Sequence, residues 1–397
     1  MVYLVTRALG VLGTVAQSVT MGWQVYDLAR ADRGVAESAL WVGLLGLATF
    51  VPLFFLALPA GIVADRYPRK TVLSLCFAGE ALCAGSLVWA AASGILDVGG
   101  LLGIAFFFGI ARAFRAPAGV ALAPMLVPKE LLPRAIAWNS LAFQVGTISG
   151  PALAGYLVGV WSTTHSYAVS LALYLVPIVG LAFIRRSTRP APHVGSRMDR
   201  VKEGLAYIRT NKVVLGAITL DLFAVLLGGA TALLPVFARD ILLVGPQGFG
   251  LLRSAPAVGA AAVALVLATR PIYRQAGTAM FAGVAVFGVA TVVFALSRSF
   301  LLSLGALATL GGADMVSVYV RQTLIQIVTP DAMRGRVASV SFLFIGASNE
   351  LGEFESGVTA RLFGPVLAAV FGGVASLFVT GLWARLFPAL RQVDRLE

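Results

Sequence analysis

The 397-residue chain is 59% hydrophobic and only 12% charged, with a mean hydropathy of +0.90. A soluble domain carries about a quarter charged residues, so the apolar content far exceeds what a core needs, and the solvent is lipid. The net charge of +12 would suggest nucleic acid in a soluble chain. Here the cations cluster at the ends of apolar runs, as in the inner loops of membrane proteins, and no nucleic-acid partner is expected.

About 20 apolar residues span a bilayer as a helix, and twelve such runs can be drawn: 3–27, 38–63, 71–92, 100–125, 135–160, 165–185, 213–238, 248–269, 277–297, 300–327, 337–359 and 364–387. The first is too long for a signal peptide and lacks a small-x-small cleavage site, so it reads as an uncleaved helix. It starts almost at Met1 with only Arg7 as a basic leader, as a shortened N-terminus would. The loops holding Arg66, Arg69, Lys70, Lys129, Arg134, Arg270, Arg274, Arg334 and Arg336 alternate with loops holding few cations, chiefly Arg30, Arg33, Arg239, Arg298 and Arg361. That asymmetry predicts both termini in the cytoplasm.

The connection between the sixth and seventh runs, Arg185 to Lys212, is the one long polar stretch. Pro190 and Pro192 interrupt it. Val201, Leu205 and Ile208 then recur at helical spacing opposite Arg200, Lys202 and Arg209, which predicts a short amphipathic helix on the inner membrane surface; a disordered linker is the alternative. "VPKELLPRAIA" (127–137) and "TPDAMRGRVAS" (329–339) match at an offset of 202, and the same offset pairs Gly109 with Gly311 and Arg112 with Asp314. The expected architecture is an all-α integral membrane protein of twelve transmembrane helices in two pseudo-symmetric six-helix bundles, 1–186 and 213–397, joined by a linker at 187–212.

Cys76 and Cys83 lie seven apart in one apolar run, and His165 and His193 are isolated, so neither a disulfide framework nor a metal or cofactor site is expected. No nucleophile–base constellation or phosphate loop argues for an enzyme.

Between the second and third runs stands "GIVADRYPRK", with Gly61, Asp65, Arg66, Arg69 and Lys70. It resembles the signature loop of the major facilitator superfamily, G-x-x-x-D-R-x-G-R-R/K, except that Pro68 replaces the usual glycine. The resemblance implies a twelve-helix transporter, monomeric, in which Asp65 latches the two halves against the start of the eleventh helix, whose free N–H groups carry partial positive charge. A charged turn obeying the positive-inside rule is the plainer reading. "GTISGPALAG" in the fifth run, with Gly146, Gly150, Pro151 and Gly155, resembles the motif of drug/proton antiporters. Glycines four apart also serve close helix packing alone. "LIQIVTPDAMRGRVASV" and the stretch from Arg112 to Leu157 look like the enterobactin-exporter branch, the transmembrane secretion effectors.

A charge inside a membrane helix costs at least about 2.5–3.5 kcal/mol, so it faces a partner or a cavity. By resemblance, helices 1, 4, 7 and 10 line the transport cavity. Arg112, Asp221, Asp314 and Arg321 fall on those helices, and Arg112 matches the arginine that family members use in proton relay. Arg112 and Asp314 are repeat-equivalent; they either pair across the pseudo-twofold and share a proton and substrate, or form a fixed ion pair. Glu80, in the third run, reads as structural with no assigned partner.

The eleventh run contains "GASNELGEFESG" (346–357). Asn349, Glu350, Glu353 and Ser356 share one helical face about 120° wide, and Glu355 points away from it. Counted from Val337, Glu350 and Glu353 lie roughly 20 and 24 Å along a helix crossing a hydrocarbon core about 30 Å thick. Two carboxylates one turn apart in low dielectric do not both ionise cheaply. They carry protons or bind a cationic substrate, pair structurally with a group such as Arg253, or sit in water beyond an early helix end. The expected activity is proton-coupled export of a siderophore, drug or similar amphipathic small molecule by alternating access, from the bacterial inner membrane. An uptake symporter, a lysophospholipid flippase or a membrane sensor are the alternatives.

Overall fold

The computed structural model describes residues 2–122, 125–184, 188 and 197–394. Regular structure among them is helical: α1 (Val2–Asp32), α2 (Val35–Arg66), α3 (Arg69–Ala92), α4 (Val98–Leu122), α5 (Leu132–Val160), α6 (Thr163–Ala182), α7 (Arg197–Thr210), α8 (Lys212–Leu227), α9 (Leu234–Val236), α10 (Gly245–Thr269), α11 (Ala276–Leu296), α12 (Phe300–Val328), α13 (Asp331–Phe363), α14 (Pro365–Leu386) and α15 (Pro388–Arg391). Among the described residues, eleven segments are long and apolar enough to cross a bilayer; α13, at 33 residues, has the length but is less apolar. Phe55, Leu82 and Leu301 stand outward, 72%, 74% and 76% exposed, as suits a chain solvated by hydrocarbon.

The helices overrun the apolar runs at their ends because polar residues continue the hydrogen-bonded spiral into water. The eleventh run was expected from residue 337, but α13 starts at Asp331 and ends against Gly364, whose φ of +85° stops the helix. The seventh run departs most from expectation. Instead of one helix over 213–238, α8 ends at Leu227, Gly228–Gly229 interrupts it, a 3₁₀ turn covers Ala230–Leu233, and a π turn at Phe237–Ile241 follows α9. A glycine pair weakens a helix, and both glycines are closely packed. A Cβ at Gly228 would meet Phe287 at 2.6 Å, and one at Gly229 would meet the carbonyl oxygen of Gly352 at 2.5 Å.

The chain forms two compact units. In the first (Met1–Arg33, Leu44–Val194 and Val244–Ser254), α1 packs on α5 and α6, and α3 on α4 and α6. In the second (Gly34–Gly43, Gly195–Leu243 and Ala255–Glu397), α11 packs on α12 and α14, and α8 on α13 and α14. Ala217, Leu220, Met280, Val284, Val320 and Val379 lie in the core of the second unit.

Helix α7 realises the amphipathic stretch expected in the linker, but its apolar side is covered by protein rather than by the membrane surface. Val201, Leu205 and Ile208 pack with Ile325, Val337 and Val340. Tyr207 Oη donates to the Val328 carbonyl at 2.9 Å, and Glu203 pairs with Arg336. Residues 185–187 and 189–196, which include Pro190, Pro192 and His193, lie outside the described residues.

Lipid gives helices little hydrophobic reason to associate, so close backbone packing does much of the holding. A Cβ at Gly311 on α12 would fall 1.9 Å from the carbonyl oxygen of Pro256 on α10, whereas at Gly305 it would meet nothing within 4 Å. Gly311→Ala should therefore cost about 1–3 kcal/mol and lower the melting temperature in detergent, with Gly305→Ala matching the wild type. Equal melting temperatures would show that this approach relaxes freely.

Candidate functional site: two buried charge clusters

The second unit encloses Asp221 on α8 and Arg321 on α12, which form an ion pair. Arg321 is 2% exposed and Asp221 is buried, so each charge has lost its water and is compensated by the other. Asp314 lies two turns before Arg321 on the same face of α12, within electrostatic reach of both Arg321 and Asp221. It makes no ion pair among the described residues. Between Asp314 and Arg321 on that face, the buried Ser317 hydroxyl has no partner among the described residues, and neither has Arg321 Nε. Two carboxylates thus share one guanidinium, and a proton or a donor from a bound solute can neutralise the excess.

The first unit holds the opposite arrangement. Glu80 on α3 is wholly buried, with its Oε1 2.8 Å from Arg115 Nε on α4. Thr14 Oγ1 on α1 lies 3.2 Å from Glu80 Oε2. Arg112, one turn before Arg115, acts electrostatically on the same carboxylate and lies 5.9 Å from the Phe108 ring centre. Arg115 similarly faces Phe77 at 5.8 Å, within cation–π range. Here two guanidiniums share one carboxylate. Each unit therefore gives Arg112 or Asp314 charged neighbours of its own.

Sequence reasoning left Glu80 without a partner and gave Ser317 and Thr14 no role. Helical spacing reports which residues share a face, not which faces meet. Gln17 on α1 was also missed: it is wholly buried, and neither amide atom has a partner among the described residues.

The acidic stretch lies on α13 with Glu350, Glu353 and Glu355 partly buried. Glu355 accepts from Thr359 Oγ1 at 2.6 Å. Gly352, between Glu350 and Glu353, touches the end of α8: a Cβ there would meet the carbonyl oxygens of Leu226 and Val225 at 2.9 and 3.0 Å. The stretch thus combines two carboxylates with a close packing point at the place where α8 breaks.

The turn joining α2 to α3 is tied to its own unit. Arg69 N donates to the Thr188 carbonyl at 3.1 Å, Arg69 Nη1 lies 3.0 Å from Met125 Sδ, and Lys70 Nζ donates to the Ile184 carbonyl at 2.9 Å. Gly61 is buried, Asp65 partly buried and Arg66 exposed. Pro68 has φ −56°, natural to proline, so this turn needs no glycine there. On α5, the missing side chains of Gly146 and Gly150 admit Val11 and Val15 of α1, and a Cβ at Gly155, four residues beyond Pro151, would meet the Pro246 carbonyl at 2.5 Å. These glycines serve close packing.

Removing one partner of a buried pair leaves an uncompensated charge, at a cost of about 3–5 kcal/mol. Arg321→Met should sharply reduce folded yield in detergent, and Asp221→Leu/Arg321→Met should recover most of it. A single variant as stable as the wild type would mean that water already reaches the pair.

A family profile described as transmembrane secretion effector matches residues 2–397. The enterobactin exporter EntS of Citrobacter koseri is 26% identical over 363 residues, covering 90% of this chain and 84% of that protein. The fold is similar to that of a D-xylose–proton symporter (TM-score 0.75, 12% identity, 98% of each chain covered). It is also similar to a bacterial homologue of the human lysosomal transporter Spinster in its inward-facing, unoccupied conformation (TM-score 0.72, 14% identity, 98% and 95% covered).

Proposed function

Because the chain belongs to the transmembrane secretion effector family of major facilitator transporters, we propose that it exports an amphipathic small molecule, a siderophore or drug, in exchange for protons by alternating access. Membership makes it a multi-pass membrane transporter of small molecules rather than an enzyme. Cytoplasmic-membrane placement with both termini inside agrees with the cation distribution, and a monomer suffices for the activity.

The observation that carries proton coupling is Asp314, which makes no ion pair among the described residues, beside the Asp221–Arg321 pair. Ionised, Asp314 adds a second negative charge next to Asp221 in a medium that solvates neither well. Protonated, it leaves a neutral cluster. A substrate offering a cation or hydrogen-bond donors relieves the same excess, so proton and substrate compete for one site, as antiport requires. Arg112, which acts electrostatically on Glu80 beside Arg115, is a charged residue of the first unit with a role in transport. Asp65 with Arg69 and Lys70 forms the conformational latch. Glu350 and Glu353 are a second carrier of protons, with Gly352 linking their state to the break after α8. Enterobactin is the first cargo to test, since the curated relatives export it.

The test is exchange in proteoliposomes loaded with a pH-sensitive dye, with enterobactin as probe and an imposed proton gradient. Asp314→Asn should lower substrate-driven proton flux at least about tenfold, equivalent to 1.4 kcal/mol, and Glu350→Gln/Glu353→Gln should reduce it less. Wild-type flux in Asp314→Asn would remove this residue from coupling. Substrate movement without proton flux in the wild type would overturn antiport itself.

A further inference from the structure

A groove of about 520 Å³ runs along the first unit between α2, α3 and α4, walled by Val63, Val72, Cys76, Gly79, Leu82 and Phe107 among others. It opens outward: Leu75, Leu82 and Phe107, all on its wall, are 68%, 74% and 64% exposed. Gly79 makes room in its floor, because a Cβ there would meet only the Ala111 Cβ, at an ordinary 3.5 Å. The neighbouring Glu80 is instead wholly buried against Arg115, so α3 turns its polar group inward and its small and apolar side chains toward the groove.

We propose that this groove is a binding site for one acyl chain of an anionic phospholipid. Its wall is hydrocarbon and sulfur apart from the Ser86 hydroxyl, so it has almost nothing with which to orient a polar solute. From Val72 to Ser86 it follows about 21 Å of α3 across a hydrocarbon core about 30 Å thick, the reach of an extended chain rather than of a compact ring system. A concave wall surrounds a chain on more sides than a flat helix face and gains more dispersion contact. One end of the groove has a charge to match. Val63 lies one helical turn before Arg66, which is exposed at the end of α2 and makes no ion pair or hydrogen bond among the described residues. A lipid phosphate at that end meets the guanidinium while its chain fills the groove, bracing α2 against α3 across the signature turn. This site is independent of proton coupling and stands or falls without it.

The test is lipid retention by native mass spectrometry of detergent-purified protein, delipidated and then given dioleoyl phosphatidylglycerol or dioleoyl phosphatidylcholine. The wild type should keep one phosphatidylglycerol in clear preference to phosphatidylcholine. Gly79→Phe, which fills the groove from its floor, should lower retention roughly tenfold. Gly381→Phe, where a Cβ would meet nothing within 4 Å, should not. Arg66→Gln should remove the preference for phosphatidylglycerol while leaving a weakly held lipid. Near-ultraviolet circular dichroism identifies any variant that fails to fold, and Ser86→Trp blocks the other end if Gly79→Phe does so. Wild-type retention in both folded blocking variants would overturn the site. Equal retention of the two lipids by the wild type would overturn the anionic assignment, and displacement of the lipid by enterobactin would reassign the groove to cargo.

Discussion

The structure depends on how a charge is kept inside a helix that lipid surrounds. An isolated charge at that depth is expensive, and the cost falls only when an opposite charge or strong donors replace the lost water. Among the described residues, the second unit meets that condition incompletely. In the second, Arg321 pairs with Asp221 while Asp314 makes no ion pair among the described residues; in the first, Glu80 pairs with Arg115 and also feels Arg112. A purely structural pair would balance. The extra carboxylate of Asp314 among the described residues of the second unit costs stability, whereas a site that takes up and releases a proton or a hydrogen-bonding ligand has a use for it.

The scaffold around these clusters is built by close backbone approach. Gly311 against Pro256, Gly352 against the end of α8, and Gly146 and Gly150 against α1 all place small residues where a side chain would separate two helices. The break at Gly228–Gly229 belongs to the same economy: it interrupts α8 seven residues after Asp221, at the point that Gly352 touches. Breaks of this kind in transporter helices re-aim backbone groups near a binding site. Here one joins the helix bearing Asp221 to the helix bearing Glu350 and Glu353.

Much of this was legible in the sequence, since lipid solvation writes itself into composition. The apolar runs located the membrane helices, "GIVADRYPRK" marked the family, and the period of Val201, Leu205 and Ile208 announced α7. The sequence misled where tertiary contacts decide. The apolar side of α7 had two possible covers, membrane or protein, and periodicity cannot distinguish them. The seventh run reads as one helix because Gly228–Gly229 is tolerable locally, and its interruption reflects packing against Phe287 and Gly352. The pairings Glu80–Arg115 and Asp221–Arg321 join residues 35 and 100 positions apart, and no local pattern encodes them.

The central claim is that Asp314 holds a proton that substrate displaces. The most direct measurement is proton release on binding: purified protein in weakly buffered detergent, a pH-sensitive dye in solution, and enterobactin added to saturation. The account predicts a proton released to solution by the wild type and none by a folded Asp314→Asn variant that still binds. Binding without release in the wild type, or undiminished release in the variant, would contradict it.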